Sequence, residues 1–134
     1  PEFTGVLDGQ HYKITGLQKP LFDQLKGSVR NLAIEGSTVE LSDTPETVSG
    51  ILANTMEDAV VEQVLLHGMR VNSAAGKAAA VAGTVRNTTM KNLFVEGAVQ
   101  AASTAAGVAV TTEGAIFENI YLNVDVTGQT EPGW

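Results

Sequence analysis

The chain has 134 residues, a formal charge of −7 from 15 acidic against 8 basic side chains, no cysteine, and 43% apolar but only 5% aromatic content. That is one domain's worth of polypeptide with a core of aliphatic and small side chains, and it excludes a disulfide framework and any thiolate metal site. The acidity argues against nucleic acid or an anionic membrane surface as partner, and no run of about 18 apolar residues offers a membrane span.

Pro1-Glu2-Phe3 opens directly into patterned sequence with no signal peptide, and Gln129 to Trp134 reads as a loop. The expectation is that residues 1–134 form a single domain that is a fragment of a larger polypeptide. Asp8-Gly9 predicts a turn that begins the first repeat. One Asp without the D-x-D-x-D spacing does not make a calcium loop.

A short phrase then recurs. Its copies are Val29 to Gly36, Val61 to Gly68, Met90 to Gly97 and Ile116 to Asn123, with a fainter one at Tyr12 to Gly16. Marking each copy by Ile14, Ile34, Leu66, Val95 and Leu122 gives spacings of 20, 32, 29 and 27 residues. Within a copy the pattern alternates: Leu32 and Ile34 share one face, Asn31, Ala33 and Glu35 the other, as in a strand with one side buried. Gly50 to Ala53, Ala79 to Ala82 and Ala106 to Ala109 form a companion stretch, each starting 14 residues before Val64, Leu93 and Ile120. That half of the repeat is constant, and length varies only in the other connection. Ser42 to Thr47, Asn72 to Lys77 and Gln100 to Thr104 are the expected loops. The companion stretch is expected to be a strand, with a helical turn as the alternative because alanine favours helix.

Strands that return to the same position and stack rung on rung predict an all-β, right-handed parallel β-helix of about four to five rungs. An antiparallel sandwich is the competitor, but hairpin signals are sparse. Stacking places Asn31, Asn92 and Asn119 in one column, an expected amide ladder interrupted by Gln63. The alternative is that they are turn residues tolerant of unusual backbone angles. Glu35 and Glu96 occupy equivalent rung positions with His67 between them in order; Glu62 and Glu118 form another such column, and their alternation with Arg30 and Lys91 predicts charge pairing across rungs on an outer face. Phe94 and Tyr121 take the outward parity and are a candidate contact surface.

The run Phe3-Thr4-Gly5-Val6-Leu7-Asp8-Gly9-Gln10-His11-Tyr12-Lys13-Ile14-Thr15-Gly16-Leu17 resembles the opening of bacterial surface β-helix segments. With Lys19-Pro20-Leu21-Phe22-Asp23-Gln24-Leu25 and Val29-Arg30-Asn31-Leu32 it is similar to the N-terminal, non-peptidase region of streptococcal zinc metalloproteases, the immunoglobulin A protease family and its paralogues. The short repeat called GLUG has a similar cadence. As a pattern the resemblance covers residues 3 to about 122, and residues 3 to 36 carry the family name. It implies a secreted, cell-wall-associated virulence endopeptidase whose catalytic zinc sits in a separate domain under a His-Glu-x-x-His motif. His11 is followed by Tyr12-Lys13 and His67 by Gly68-Met69, so that motif does not carry over.

No catalytic, cofactor-binding or metal residue is therefore expected in this chain. No serine stands in a Gly-x-Ser-x-Gly elbow. The expected role is a non-catalytic scaffold or recognition domain whose partners are neighbouring domains of the parent protein and a host protein substrate. A carbohydrate-binding or carbohydrate-cleaving β-helix and an adhesin stalk are the alternatives.

Overall fold

The computed structural model describes residues 2–41 and 48–128. Period-two alternation becomes strand throughout, and no helix occurs among the described residues. The first set of strands is β1 (Glu2–Phe3), β2 (Val6–Asp8) and β3 (Lys13–Thr15). The second is β4 (Phe22–Leu25), β5 (Ser28–Glu35) and β6 (Thr38–Leu41), and the third is β7 (Val48–Ser49), β8 (Ala53–Glu57) and β9 (Val60–Ser73). The fourth is β10 (Lys77–Ala79), β11 (Ala82–Arg86) and β12 (Thr89–Ala101), and the fifth β13 (Ala105–Ala106), β14 (Ala109–Glu113) and β15 (Ile116–Thr127).

Corresponding strands pair in parallel and make three sheets. Their orders are β1-β4-β8-β11-β14, β13-β10-β7 and β15-β12-β9-β5-β2, with β3 also on β5 and β6 also on β9. Every pairing runs parallel, from β1 on β4 to β12 on β15. The architecture is a β-solenoid of about four turns, and the antiparallel sandwich is excluded.

The core is a set of columns. Val29, Val61, Met90 and Phe117 stack in register, as do Leu32, Val64, Leu93 and Ile120, and Ile34, Leu66, Val95 and Leu122. Val39, Val71, Val99 and Val126 make a fourth. From the opposite sheet Leu25, Met56 and Val85 stack, all fully buried. Each aliphatic thus packs on its own equivalents one rung, about 4.8 Å, away.

Two expectations need correction. The companion stretch is a corner rather than a continuous strand. Ile51-Leu52, Ala80-Val81 and Gly107-Val108 bend, and β8, β11 and β14 start just after them. Small residues allow this because the corner is pressed against the next coil: a Cβ on Gly50 would sit 2.5 Å from the Val81 carbonyl oxygen. The expected loops are also shorter. Asn72-Ser73 and Gln100-Ala101 end β9 and β12, leaving only residues 74–76 and 102–104 as connections. The Ser42 to Thr47 loop lies outside the described residues.

The constant half of the repeat is the corner plus a five-residue strand plus a turn, seen in β8, β11 and β14 alike. The phrase itself is longer than its glycine suggests, because β9 and β12 run on past Gly68 and Gly97. Gly68, at φ +62°, is an extra residue that shifts the register between β9 and β12 at Glu96/Gly97. This is a bulge in which glycine supplies the left-handed angle.

Candidate functional site

The outer faces of the sheets carry the side chains left over from the core. On the long sheet, Asp8, Arg30, Glu62, Lys91 and Glu118 lie in one register column and alternate in sign. Arg30 Nε lies 3.4 Å from Asp8 Oδ2 and Lys91 Nζ 3.8 Å from Glu118 Oε2. A second ladder crosses the five-stranded sheet: Lys26 Nζ sits 3.8 Å from Glu2 and 3.9 Å from Glu57. Arg86 continues it, 4.0 Å from Glu57 and 3.9 Å from Glu113. Near the glycine bulges Lys13 Nζ meets Glu35 at 3.3 Å and His67 Nε2 meets Glu96 at 3.0 Å. Solvent screens these exposed pairs, so each by itself contributes little to stability. Their value is that alternation fixes which coil sits on which.

The amide column sits at a backbone irregularity. Asn31, Gln63, Asn92 and Asn119 all have φ between 53° and 56°, each inside its strand. Asn tolerates this left-handed angle better than other non-glycine residues because its side chain bonds locally. Asn119 Nδ2 donates to Asn92 Oδ1 at 3.1 Å, while Asn31 Nδ2 donates to Asp8 Oδ1 at 3.3 Å. One amide-to-amide step of the expected ladder, Asn119 to Asn92, is thus made, whereas the Asn31 amide turns to Asp8, and all four residues share the left-handed angle.

Asp8 ends β2 and opens the expected turn toward β3, inside the first coil rather than at its start. Its Oδ1 accepts from the Gln10 backbone N–H at 2.9 Å, and Gly9 O accepts from Tyr12 N at 2.8 Å. The Gln10 N–H above all, then the Asn31 amide, holds the Asp8 carboxyl below its usual pKa. Asn54 does the same to Asp23, donating at 2.9 Å. A depressed carboxylate stabilises the fold above its unfolded pKa, about 3.9, and that contribution is lost as pH falls through the folded value. Asp8→Asn should thus lower the melting temperature at pH 7. It should also flatten the loss of stability below about pH 4, as read from thermal melts across pH.

Phe94 and Tyr121 meet on the outer face with ring centroids 4.6 Å apart and planes 4° apart. Leu65 precedes them in the same column. Stacked in this way, each ring covers one face of the other, so they do not present the paired open platforms on which a sugar lies.

Nothing in this set assembles a hydrolytic centre. Along each charge ladder the carboxylates alternate with basic side chains. The Asp8 and Asp23 carboxyls are both held below their usual pKa, opposite to what a general acid requires. Among the described residues no three His, Asp or Glu side chains gather to hold a metal, and the donor set does not fit zinc. A cleft of about 480 Å³ lies beside the first two coils between Gly16-Leu17-Gln18 and Gly36, Thr38 and Glu40.

The family matching this geometry is specific. A family model described as M26 IgA1-specific metallo-endopeptidase N-terminal region matches residues 1–68, half of the chain. Neither the curated proteins nor the solved structures offer a match. The matched half contains the turn at Asp8, the corner at Ile51-Leu52 and the first three copies of the phrase, and the unmatched half repeats the same coil. The chain belongs to the family of M26 IgA1-specific metallo-endopeptidase N-terminal regions.

Proposed function

We propose that this solenoid is a non-catalytic scaffold and recognition region of a zinc metallo-endopeptidase acting on immunoglobulin A1, carried by a secreted protein attached to the bacterial cell wall. Family membership points to the protease as parent. The observation that supports the non-catalytic role is the outer surface, where charges of opposite sign pair coil to coil and, among the described residues, no metal-ligating set converges. Such a surface holds coils in register and spaces whatever is joined to it. The catalytic zinc belongs to a separate part of the parent, and the contacts made here are with neighbouring domains and with the host protein.

The chain alone, incubated with immunoglobulin A1 and zinc, is expected to leave the heavy chain intact and to retain no stoichiometric zinc after dialysis. Cleavage that depends on bound zinc would remove this reading. Saturable oligosaccharide binding without immunoglobulin binding would shift it toward a carbohydrate-recognising solenoid.

A further inference from the structure

The outer face of the long sheet runs along the side of the stack, from β5 through β9 and β12 to β15, and carries side chains in columns. Ser28, Val60, Thr89 and Ile116 form one column, and Arg30, Glu62, Lys91 and Glu118 the next. Ala33, Leu65, Phe94 and Tyr121 follow, and then Glu35, His67, Glu96 and Asn123. The Ala33 column is an apolar stripe between charged flanks, and its side chains grow from Ala33 to Tyr121. Leu65 and Phe94 sit on inner rungs, yet both stay partly exposed. Glu62, in register between Arg30 and Lys91, makes no ion pair among the described residues.

These columns are complementary to their own reverse. Let a second copy face the first across a twofold axis parallel to the strands, midway between β9 and β12. Then β5 meets β15 of the second copy and β9 meets its β12. Arg30 opposes Glu118 and Glu62 opposes Lys91, each twice by symmetry. Ala33 opposes Tyr121 and Leu65 opposes Phe94, so a large side chain fills the space that a small one leaves. His67 opposes Glu96, and Glu35 opposes the uncharged Asn123. Shifting the axis onto β9 would set Arg30 against Lys91 and Glu62 against itself. Shifting it onto β12 would set Lys91 against itself and Glu62 against Glu118. Like charges placed directly opposite in this way are unfavourable. An axis running along the stack would keep opposite charges together, Arg30 on Glu35 and Lys91 on Glu96. It would also set Tyr121 on Tyr121 and Ala33 on Ala33, holding the faces apart at the Ala33 end.

We propose that this face joins two copies of the chain in an antiparallel, isologous dimer centred between β9 and β12. The occupant is a second copy because the face itself supplies the complement in both charge and size. Four strands about 4.8 Å apart, each contributing about eight residues, bury roughly 500 Å² on each copy, about 1,000 Å² in all. That is the low end for a specific interface, so the dimer is weak, with a Kd on the order of 10 µM. It goes beyond the protease reading and does not depend on it.

Sedimentation equilibrium of the chain between about 1 and about 300 µM should show a monomer–dimer equilibrium. Glu62→Lys and Lys91→Glu each place two like-charge contacts in the dimer. Each should weaken self-association about tenfold or more, in chains that circular dichroism shows to be folded. Mixed in equal amounts, the two variants bring opposite charges together again at both contacts. A heterodimer should then form about as tightly as the unaltered dimer. A chain that stays monomeric throughout, leaving the face to a different macromolecule, overturns the proposal. So does a single variant that self-associates as well as the unaltered chain, or a mixture that stays monomeric. Assembly beyond two copies also overturns it, since a twofold contact closes at the dimer.

Discussion

Leu66→Ala is expected to lower the unfolding free energy by about 3 kcal/mol, within the 2–5 kcal/mol usual for emptying a leucine site in a packed core. Leu66 is fully buried, with Ile34 on one rung and Val95 on the next, so the coils on both sides lose contacts. Leu122 provides the comparison. It occupies the same column at the open end and is 44% exposed. Leu122→Ala removes the same atoms from a site packed on one side only, and should cost below about 1.5 kcal/mol. Urea melts of the two variants check this, because the chemistry is identical and only the position along the stack differs. Equal losses would mean that the columns do not pack as the register places them.

The second large effect comes from the backbone. A Cβ placed on Gly97 runs into the Met69 carbonyl of the neighbouring strand, an obstacle that no rotamer can relieve. Gly97→Val should therefore cost about 3 kcal/mol or more, by forcing β9 and β12 apart where their register shifts. Gly36→Ala isolates the other demand that the repeat makes of glycine. Its φ is +58° with open space around the missing Cβ, so the penalty is conformational alone, about 1–2 kcal/mol. Thermal melts should rank Gly97→Val well below Gly36→Ala. Where a phrase ends in glycine, that residue answers one of two needs: a left-handed angle at Gly36 and Gly68, or close approach of two strands at Gly97.

These effects explain why the repeat tolerates uneven spacing. The stack depends on residues that must coincide between rungs: the inward aliphatics, the amide position and the alternating charges. A difference in chain length between one set of strands and the next changes none of those coincidences, because the paired strands on either side keep their register. Loops of different length on one side of a fixed corner are inexpensive for the same reason, since closure entropy grows only slowly with length.

The sequence alone was enough to establish the parallel solenoid, the inward columns of Leu32, Val64 and Leu93, and the sign alternation of Arg30, Glu62 and Lys91. All of these follow from local period two combined with recurrence, and both are properties of the residue string. The placement of Asn31, Asn92 and Asn119 at equivalent positions was equally legible, and an unusual backbone angle there was one of two readings. Tertiary structure decided that all three are left-handed within continuous strands. It likewise decided that Ile51-Leu52, Ala80-Val81 and Gly107-Val108 are corners and that β9 and β12 continue through their glycines. An apolar run is equally compatible with a strand and with a buried bend, and the coil packed against it determines which one forms. That Arg86 meets Glu113 and Lys91 meets Glu118 likewise emerged only when one coil was set on the next, because residues 27 positions apart share a column only through the stack.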